Sequence, residues 1–455
     1  MKIHFSSIAV LAICLIFSVA CSNDEYGYKI KNGTAVYNTP ERPADQISMI
    51  GFAVDPIDTV RIGFIGLGMR GPSAIDRFTY IDGVETVAIC DLYPEKLEPV
   101  QRLLERRGKA RAAEYSGEDG WKELCEREDI DLVYIVTPWL THVPMSVYAM
   151  EHGKHVAVEV PAAVSVEECW QLVNTAERTR RHCMMLENCV YDFFELTTLN
   201  MAQQGLFGEI VHVEGAYIHN LDPFWDEYQD NWRYEYNKKH RGDIYPTHGM
   251  GPACWALDIH RGDRMKTLIA MDTDAFNGKK LAQKHGEESY MNGDHTTTLI
   301  RTEKGKTIEI QHNVVTPRPY NRMYQVEGTE GFANKYPNEG FSIIENMDGE
   351  AYVSSEMRDA LMAEYQHPIT REGSLVETAR RVGGHGGMDF IMDYRLIYCL
   401  RNGLPLDQDV YDAAEWSCLG ELTRVSIENG NIPVAMPDFT RGEWDKTDGL
   451  KLHIK

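Results

Sequence analysis

Four short stretches of the chain hold residues whose types and spacing suit chemistry. The first is Gly66-Leu67-Gly68-Met69-Arg70-Gly71, directly after the β-branched run 60–65. The first glycine allows a tight turn, the second lets a pyrophosphate approach the backbone, and the third lets the next helix pack on the strand. The N-terminus of that helix offers free N–H groups and the positive end of its dipole to phosphates. Asp91 lies twenty residues past Gly71, at the end of the next strand. A carboxylate there accepts from the adenosine ribose hydroxyls and repels a 2′-phosphate, so NAD is favoured over NADP. The glycine pattern alone is weak, but the strand before it and the helix after it make it specific.

The second stretch is Thr137-Pro138-Trp139-Leu140-Thr141-His142, after the run 131–136. Carboxyl ends of parallel strands form the ligand crevice of such sheets. This loop can lie along the cofactor with His142 beside it, or serve only as a helix start. The third is Gly153-Lys154-His155-Val156-Ala157-Val158-Glu159-Val160-Pro161. The fourth is Tyr245-Pro246-Thr247-His248-Gly249-Met250-Gly251-Pro252, twelve residues after Arg233. Tyr245 and His248 are two groups able to transfer protons; taken alone, the loop could equally be a helix cap. Around it, Tyr217 reads as cleft wall or core. Arg233 reads as a fork for a hydroxyl or acyl oxygen, or as a surface ion pair. Trp225 and Trp232 could stack on a sugar or bury, and His385 could face the cleft from its glycine-rich loop.

These residues need elements to position them. Strand-like runs at 60–65, 85–90, 131–136, 155–160 and 183–186 alternate with helical patterns at 72–80, 94–107, 143–152 and 166–180. That alternation predicts a doubly wound parallel sheet, an α/β Rossmann domain spanning 58–190. Past a helix at 191–204, strands are expected at 209–218, 296–301, 307–312 and 323–327. Their spacing predicts an open, largely antiparallel sheet in an α+β substrate domain over 191–455. A long insertion at about 220–295, rich in Trp, Tyr, His and charge, has the length of a functional segment. Two helices, about 386–402 and 408–428, close the chain. Residues 22–57 read as a tether and lead-in.

Composition narrows the partners. The chain has 455 residues, 43% hydrophobic and 25% charged, with a formal net charge of −23. These values exclude wholesale disorder, and the acidity leaves no basic footprint for a nucleic acid. A small-molecule or glycan substrate fits better; nothing in the sequence excludes a homo-oligomer. Residues 1–21 form a short apolar leader ending Ser18-Val19-Ala20-Cys21. A Cys at that place resembles a bacterial lipoprotein cleavage site, with Ser18 where a leucine is usual. The expectation is export to the periplasm or outer membrane, with membrane contact only through a lipid on Cys21. Eight cysteines follow the leader and none forms C-x-x-C. Buried free thiols, and no metal centre, are expected.

The third stretch resembles the glucose-fructose oxidoreductase/inositol dehydrogenase superfamily over about 58–430. Its motif runs Gly-Lys-His-Val, two residues, then Glu-Lys-Pro. The lysine that handles the substrate hydroxyl proton in those dehydrogenases is Val160 here, which cannot donate, accept or titrate. With Tyr245–Pro252, Thr316-Pro317-Arg318-Pro319-Tyr320 and Gly383-Gly384-His385-Gly386-Gly387-Met388-Asp389, the chain resembles glycoside hydrolase family 109, the exported NAD-dependent α-N-acetylgalactosaminidases. The resemblance implies a tightly held NAD and a cycle of oxidation at C3, elimination across C1–C2, hydration and reduction. It implies that Gly66, Gly68, Met69, Arg70, Gly71 and Asp91 hold the adenosine diphosphate. Trp139, Leu140, Thr141, His142, Glu159, Val160 and Asn188 would line the nicotinamide. Tyr217, Arg233, Tyr245, Pro246, Thr247, His248 and Tyr320 would hold the sugar, with Tyr245 and His248 catalytic. Two other readings stand beside it. One is an exported NAD-dependent sugar oxidoreductase with nonexchanging cofactor, against which Val160 speaks. The other is a carbohydrate-binding lipoprotein with a vestigial fold, against which the intact glycine loop and Asp91 speak.

Overall fold

The computed structural model describes residues 26–344, 351–371 and 373–454. The leader and Cys21 lie outside them. The segment expected as a tether contains strands from Tyr28 onward. Tyr28–Lys31 (β1) and Thr34–Tyr37 (β2) pair antiparallel around Asn32-Gly33, both at positive φ. Ala35 and Tyr37 are buried, and β2 pairs with Val434–Ala435 near the other end of the chain.

The Rossmann sheet follows. Val60–Ile65 (β3), Val84–Asp91 (β4), Ala113–Ser116 (β5), Leu132–Ile135 (β6), His155–Val158 (β7) and Cys183–Met185 (β8) run in the order β5-β4-β3-β6-β7-β8, every pair parallel. Helices Gly71–Phe78 (α1), Leu97–Arg106 (α2), Gly120–Cys125 (α3), His142–Glu151 (α4) and Val166–Thr179 (α5) are the crossovers. The central strands are continuous apolar runs because helices cover both faces; Leu132–Ile135 and His155–Val158 are buried at every position. The strand at 113–116 and the helix at 120–125 are additions to the sequence reading. Both are short and half polar, so they lack a clear period.

The second sheet has ten strands. Ile210–Ile218 (β9), Met265–Asp272 (β10), Thr296–Thr302 (β11), Thr307–Asn313 (β12), Asn321–Gly328 (β13), Gly331–Asn334 (β14), Gly340–Ile343 (β15) and Val434–Ala435 (β16) join β1 and β2 in the order β1-β2-β16-β10-β11-β12-β9-β13-β14-β15. Pairing is antiparallel except β12 with β9 and β16 with β2. β10 lies inside the stretch expected as a continuous insertion. Phe193–Gln203 (α6) links the two sheets, and Trp232–Lys239 (α7) and Thr247–Ala256 (α8) belong to the insertion. α8 lies close against β9. A Cβ on Gly249 would meet the Ala216 amide nitrogen at 2.6 Å, and one on Gly215 would meet the Gly249 carbonyl oxygen at 2.5 Å. Two facing glycines therefore bring the start of α8, which carries His248, onto the strand that carries Tyr217. All eight described cysteines are free and buried.

Candidate active site at the mouth of the Rossmann sheet

The glycine loop leaves β3 with Gly66 at φ +97°, and a Cβ on Gly71 would meet the Gly66 carbonyl oxygen at 2.1 Å. Around Gly68, by contrast, an added Cβ meets nothing within 4 Å. That gap is where a pyrophosphate approaches the backbone. Asp91 ends β4 with both carboxylate oxygens engaged. Oδ2 accepts from the Leu67 amide at 2.6 Å and Oδ1 from the Tyr93 amide at 2.9 Å. The acid thus fixes the loop, and each oxygen keeps a lone pair for a ribose hydroxyl. Met69, next to Gly68, and Leu140, in the loop after the neighbouring strand β6, are half exposed or more. The cradle, the acid and these exposed apolar side chains fit a dinucleotide.

Arg70 does not reach toward a phosphate. Its guanidinium donates to Glu159 and to Asp389, each at 3.2 Å. Asp389 also accepts from Asn188 at 2.5 Å and bonds His385 Nδ1 at 3.0 Å. Burial alone would push the Asp389 carboxyl up. The His385 bond and the charges of Arg70 and Arg77 outweigh it and hold the group well below the carboxylate range. Glu159, Asn188, Arg70 and His385 are therefore one network on the nicotinamide side, tied by a residue outside the sequence-predicted set. Val160 is 4% exposed.

His142 and Trp139 are engaged by the protein itself. The His142 ring is fully buried, with Nδ1 2.8 Å from the Pro161 carbonyl and Nε2 2.7 Å from the Thr137 carbonyl. Burial holds its pKa down against those two carbonyls. With both nitrogens taken, it braces the loops after β6 and β7 and has no atom left for a ligand. Trp139 is 4% exposed. It stacks on Tyr245 with ring centroids 5.4 Å apart and meets Trp232 and Tyr236 edge-on. It supports the sugar-side residues from below. Thr141 is taken up locally by Thr137 and Pro138.

The second half of the site is aromatic. Tyr217 on β9 is 6% exposed, with its hydroxyl 3.0 Å from His219 Nδ1. Its ring lies 4.6 Å from that of Tyr245 and 5.5 Å from that of His248. Tyr217 is both core and wall. Tyr320 is 43% exposed and edge-on to His219. Arg233 is buried under the rings of Tyr245, Tyr228, Trp139 and Tyr217, between 4.6 and 5.8 Å from their centroids. It donates to the Tyr228 hydroxyl at 2.6 Å, while its Nε has no partner among the described residues. A buried guanidinium held by cation–π contacts rather than a carboxylate keeps its positive field for a ligand oxygen. Trp225 is core. Pro246 precedes α8 and Thr247 is fully buried in its first turn.

His248 sits in that first turn. Its Nδ1 is 2.8 Å from Glu187 Oε2, and Glu187 is fully buried. Burial alone would raise the Glu187 carboxyl. The charge and hydrogen bond of His248, with the Cys189 amide at 2.8 Å, outweigh it and hold the group below its ordinary value. A carboxylate on Nδ1 fixes that nitrogen as the donor and leaves Nε2 as the acceptor. Cys189 Sγ also lies within 4.8 Å of the pair. Glu187 is the residue the sequence reading missed. It follows β8 at the carboxyl edge of the sheet, next to Asn188, and that position was the available signal. Burial pushes the Tyr245 phenol well above its ordinary value, with Arg233 opposing, so the hydroxyl keeps its proton at neutral pH.

Fold and site together define an NAD-binding Rossmann domain joined to an open-sheet domain. Residues 60–187 match the family "Oxidoreductase family, NAD-binding Rossmann fold". Levoglucosan dehydrogenase in complex with NADH superposes with a TM-score of 0.63 at 17% identity, over 84% of this chain and 100% of that one. An NAD-binding oxidoreductase from Klebsiella pneumoniae does so at 0.62 and 20% identity, over 84% and 100%. Residues 191–446 match "Glycosyl hydrolase 109, C-terminal domain". The chain is 60% identical to a glycosyl hydrolase family 109 protein of Porphyromonas gingivalis, over 97% of this chain and 98% of the relative. It is 60% identical to glycosyl hydrolase family 109 protein 1 of Bacteroides thetaiotaomicron, over 93% and 94%. The chain belongs to glycoside hydrolase family 109, and its cofactor is NAD.

Proposed function

We propose that the protein hydrolyses terminal α-N-acetylgalactosaminides, or closely related glycosides, without consuming its cofactor. Bound at the glycine loop, NAD supplies reversible hydride transfer at C3 of the sugar. The chain's own residues supply the rest. Once C3 is a ketone, the C2 proton is acidic, and His248 Nε2 removes it. Glu187 holds the proton of the neutral ring on Nδ1, which makes Nε2 the accepting nitrogen, and balances the imidazolium that forms. Tyr245, which carries its proton at neutral pH, relays at O3: as hydride leaves C3 it takes the O3 proton while passing its own to water, and the same relay runs backwards when C3 is reduced. Arg233 holds a sugar hydroxyl or acyl oxygen over its aromatic seat. The aglycone leaves from C1 as the electron pair at C2 forms the C1–C2 double bond. Water then adds its hydroxyl at C1, its other proton goes to the departed aglycone oxygen, and the proton on His248 returns to C2.

The observation that carries this reading is the Glu187–His248 pair at 2.8 Å beside Tyr245, in an NAD fold whose proton-handling lysine is replaced by Val160. A proton acceptor is thus present, but on the sugar side rather than at the dehydrogenase position. The test is release of p-nitrophenol from its α-N-acetylgalactosaminide by the purified protein with no added nucleotide. A sugar-dependent rise at 340 nm without cleavage would favour the oxidoreductase reading instead. Export as a lipoprotein through Cys21 belongs to the same proposal, since a self-regenerating cofactor suits a compartment without a free NAD pool.

A further inference from the structure

The inserted segment carries one contact that the sugar pocket does not explain. Tyr93, two residues past Asp91, donates its hydroxyl to Asp230 Oδ2 at 2.5 Å. Tyr93 belongs to the Rossmann domain at the adenosine end of the crevice, and Asp230 to the insertion. Asp230 and its neighbour Asn231 both sit in the left-handed region, at φ 53° and 52°. Two successive non-glycine residues there are unfavourable and persist only when their surroundings hold them.

The next two residues reach the other side of the same crevice. Trp232 meets Trp139 edge-on, with centroids 5.1 Å apart, and Arg233 lies 5.3 Å from the Trp139 centroid. Tyr93 follows β4 and Trp139 follows β6. These strands flank β3 in the sheet, and the loop after β3 is the glycine loop. Residues 230–233 therefore cross from one neighbour of the pyrophosphate cradle to the other. Two strand spacings amount to about 9.6 Å. The turn at Asp230-Asn231 and the start of α7 are too compact to cover this by backbone alone, and the side chains of Asp230 and Trp232, reaching to Tyr93 and Trp139, complete the bridge.

We propose that the Tyr93–Asp230 hydrogen bond is a clasp that holds residues 230–233 across the cofactor crevice and slows the escape of NAD. The cofactor leaves only when this strap lifts, and the strap lifts only when the bond breaks. The proposal holds for any reaction at the sugar, since it concerns nucleotide retention alone.

The test is exchange of bound NAD for isotopically labelled NAD in the purified holoprotein, followed by mass spectrometry of the retained nucleotide. Tyr93→Phe removes one hydroxyl and keeps the ring; Asp230→Ala removes the acceptor. Each should speed exchange about three- to tenfold, the worth of one net hydrogen bond. The double variant should exchange no faster than the faster single, because both lose the same bond. Asp222→Ala, which breaks an exposed ion pair with Lys284 elsewhere in the insertion, should leave the rate unchanged. Wild-type exchange in Tyr93→Phe, or additive effects in the double variant, would overturn the clasp.

Discussion

The two halves of the site are built in opposite ways. The cofactor half is made mainly of backbone: a glycine loop, a helix start and one acid, all within residues 66–91. The sugar half is made of side chains from β9, α7, α8 and the loops after β8, before α8 and before β13. Backbone cradles need glycines at fixed spacing, which a sequence displays directly. Side-chain pockets need only that distant residues meet, which it does not. The contrast extends to energetics. The cofactor half gains from removing atoms, as at Gly68. The sugar half retains polar groups that are costly to bury, among them Arg233 and Glu187, and pairs each for a task.

If the halves are separable, a change in one should spare the other, and His248→Ala is the strongest trial of that. It should lower kcat by roughly 10²–10⁴-fold while bound NAD is unchanged. A variant with wild-type kcat would return α8 to a structural role. Glu187→Gln should come next. Loss of the group that fixes the imidazole tautomer should cost about 10- to 100-fold in kcat, with KM and nucleotide content unchanged. A fall in nucleotide content alone would move Glu187 to the cofactor half. Asp91→Ala is the reciprocal case. It should loosen NAD about tenfold or more, because a charge-assisted acceptor and the anchor of the Leu67 amide both go. Gel filtration followed by nucleotide assay reads this directly, and NADP as the native occupant would refute the role of Asp91.

A fourth effect concerns the stability of the loop that presents Tyr245. Asp243 is fully buried, accepts from the Tyr245 amide at 3.2 Å, and is pushed up to about 7 by burial. The folded state thus binds this proton more tightly than the unfolded chain, where a carboxyl titrates near ~4. The stabilising, protonated form is complete below that value and is lost as pH rises toward 7. Stability should fall over this window by up to about 1.4 kcal/mol per pH unit from this group. Asp243→Asn should flatten the dependence relative to wild type in thermal melts at pH 4.5 to 7. Parallel curves would show that Asp243 is not the group responsible.

Legibility in the sequence followed the same divide. The Rossmann order and the glycine loop were readable because strand, turn and helix signals are contiguous. Tyr245, His248 and Arg233 were readable as types, but the partners of Arg70 and His142 within the chain were not. A cation beside a glycine loop suggests a phosphate, and only the fold reveals that Glu159 and Asp389 claim it. A histidine at a helix start suggests a ligand, and only the fold reveals two carbonyls around it. Glu187 was hidden because its partner lies sixty-one residues away. The hairpin at 28–37 had one local signal, Asn32-Gly33, the residue pair that favours a tight hairpin turn. Its strands are too short to show a period.

The central claim is that the sugar half performs proton abstraction at C2 while the cofactor half exchanges hydride at C3. Turnover of an α-N-acetylgalactosaminide in D₂O tests it most directly. The imidazole of His248 keeps 12% of its side-chain surface exposed, enough to exchange its proton with solvent before returning it. The released sugar should therefore carry deuterium at C2, with no net change in bound nucleotide. Ordinary glycosidases break the same bond through an oxocarbenium-like state and leave C2–H untouched. Cleavage that leaves protium at C2 would contradict the account, even with NAD bound.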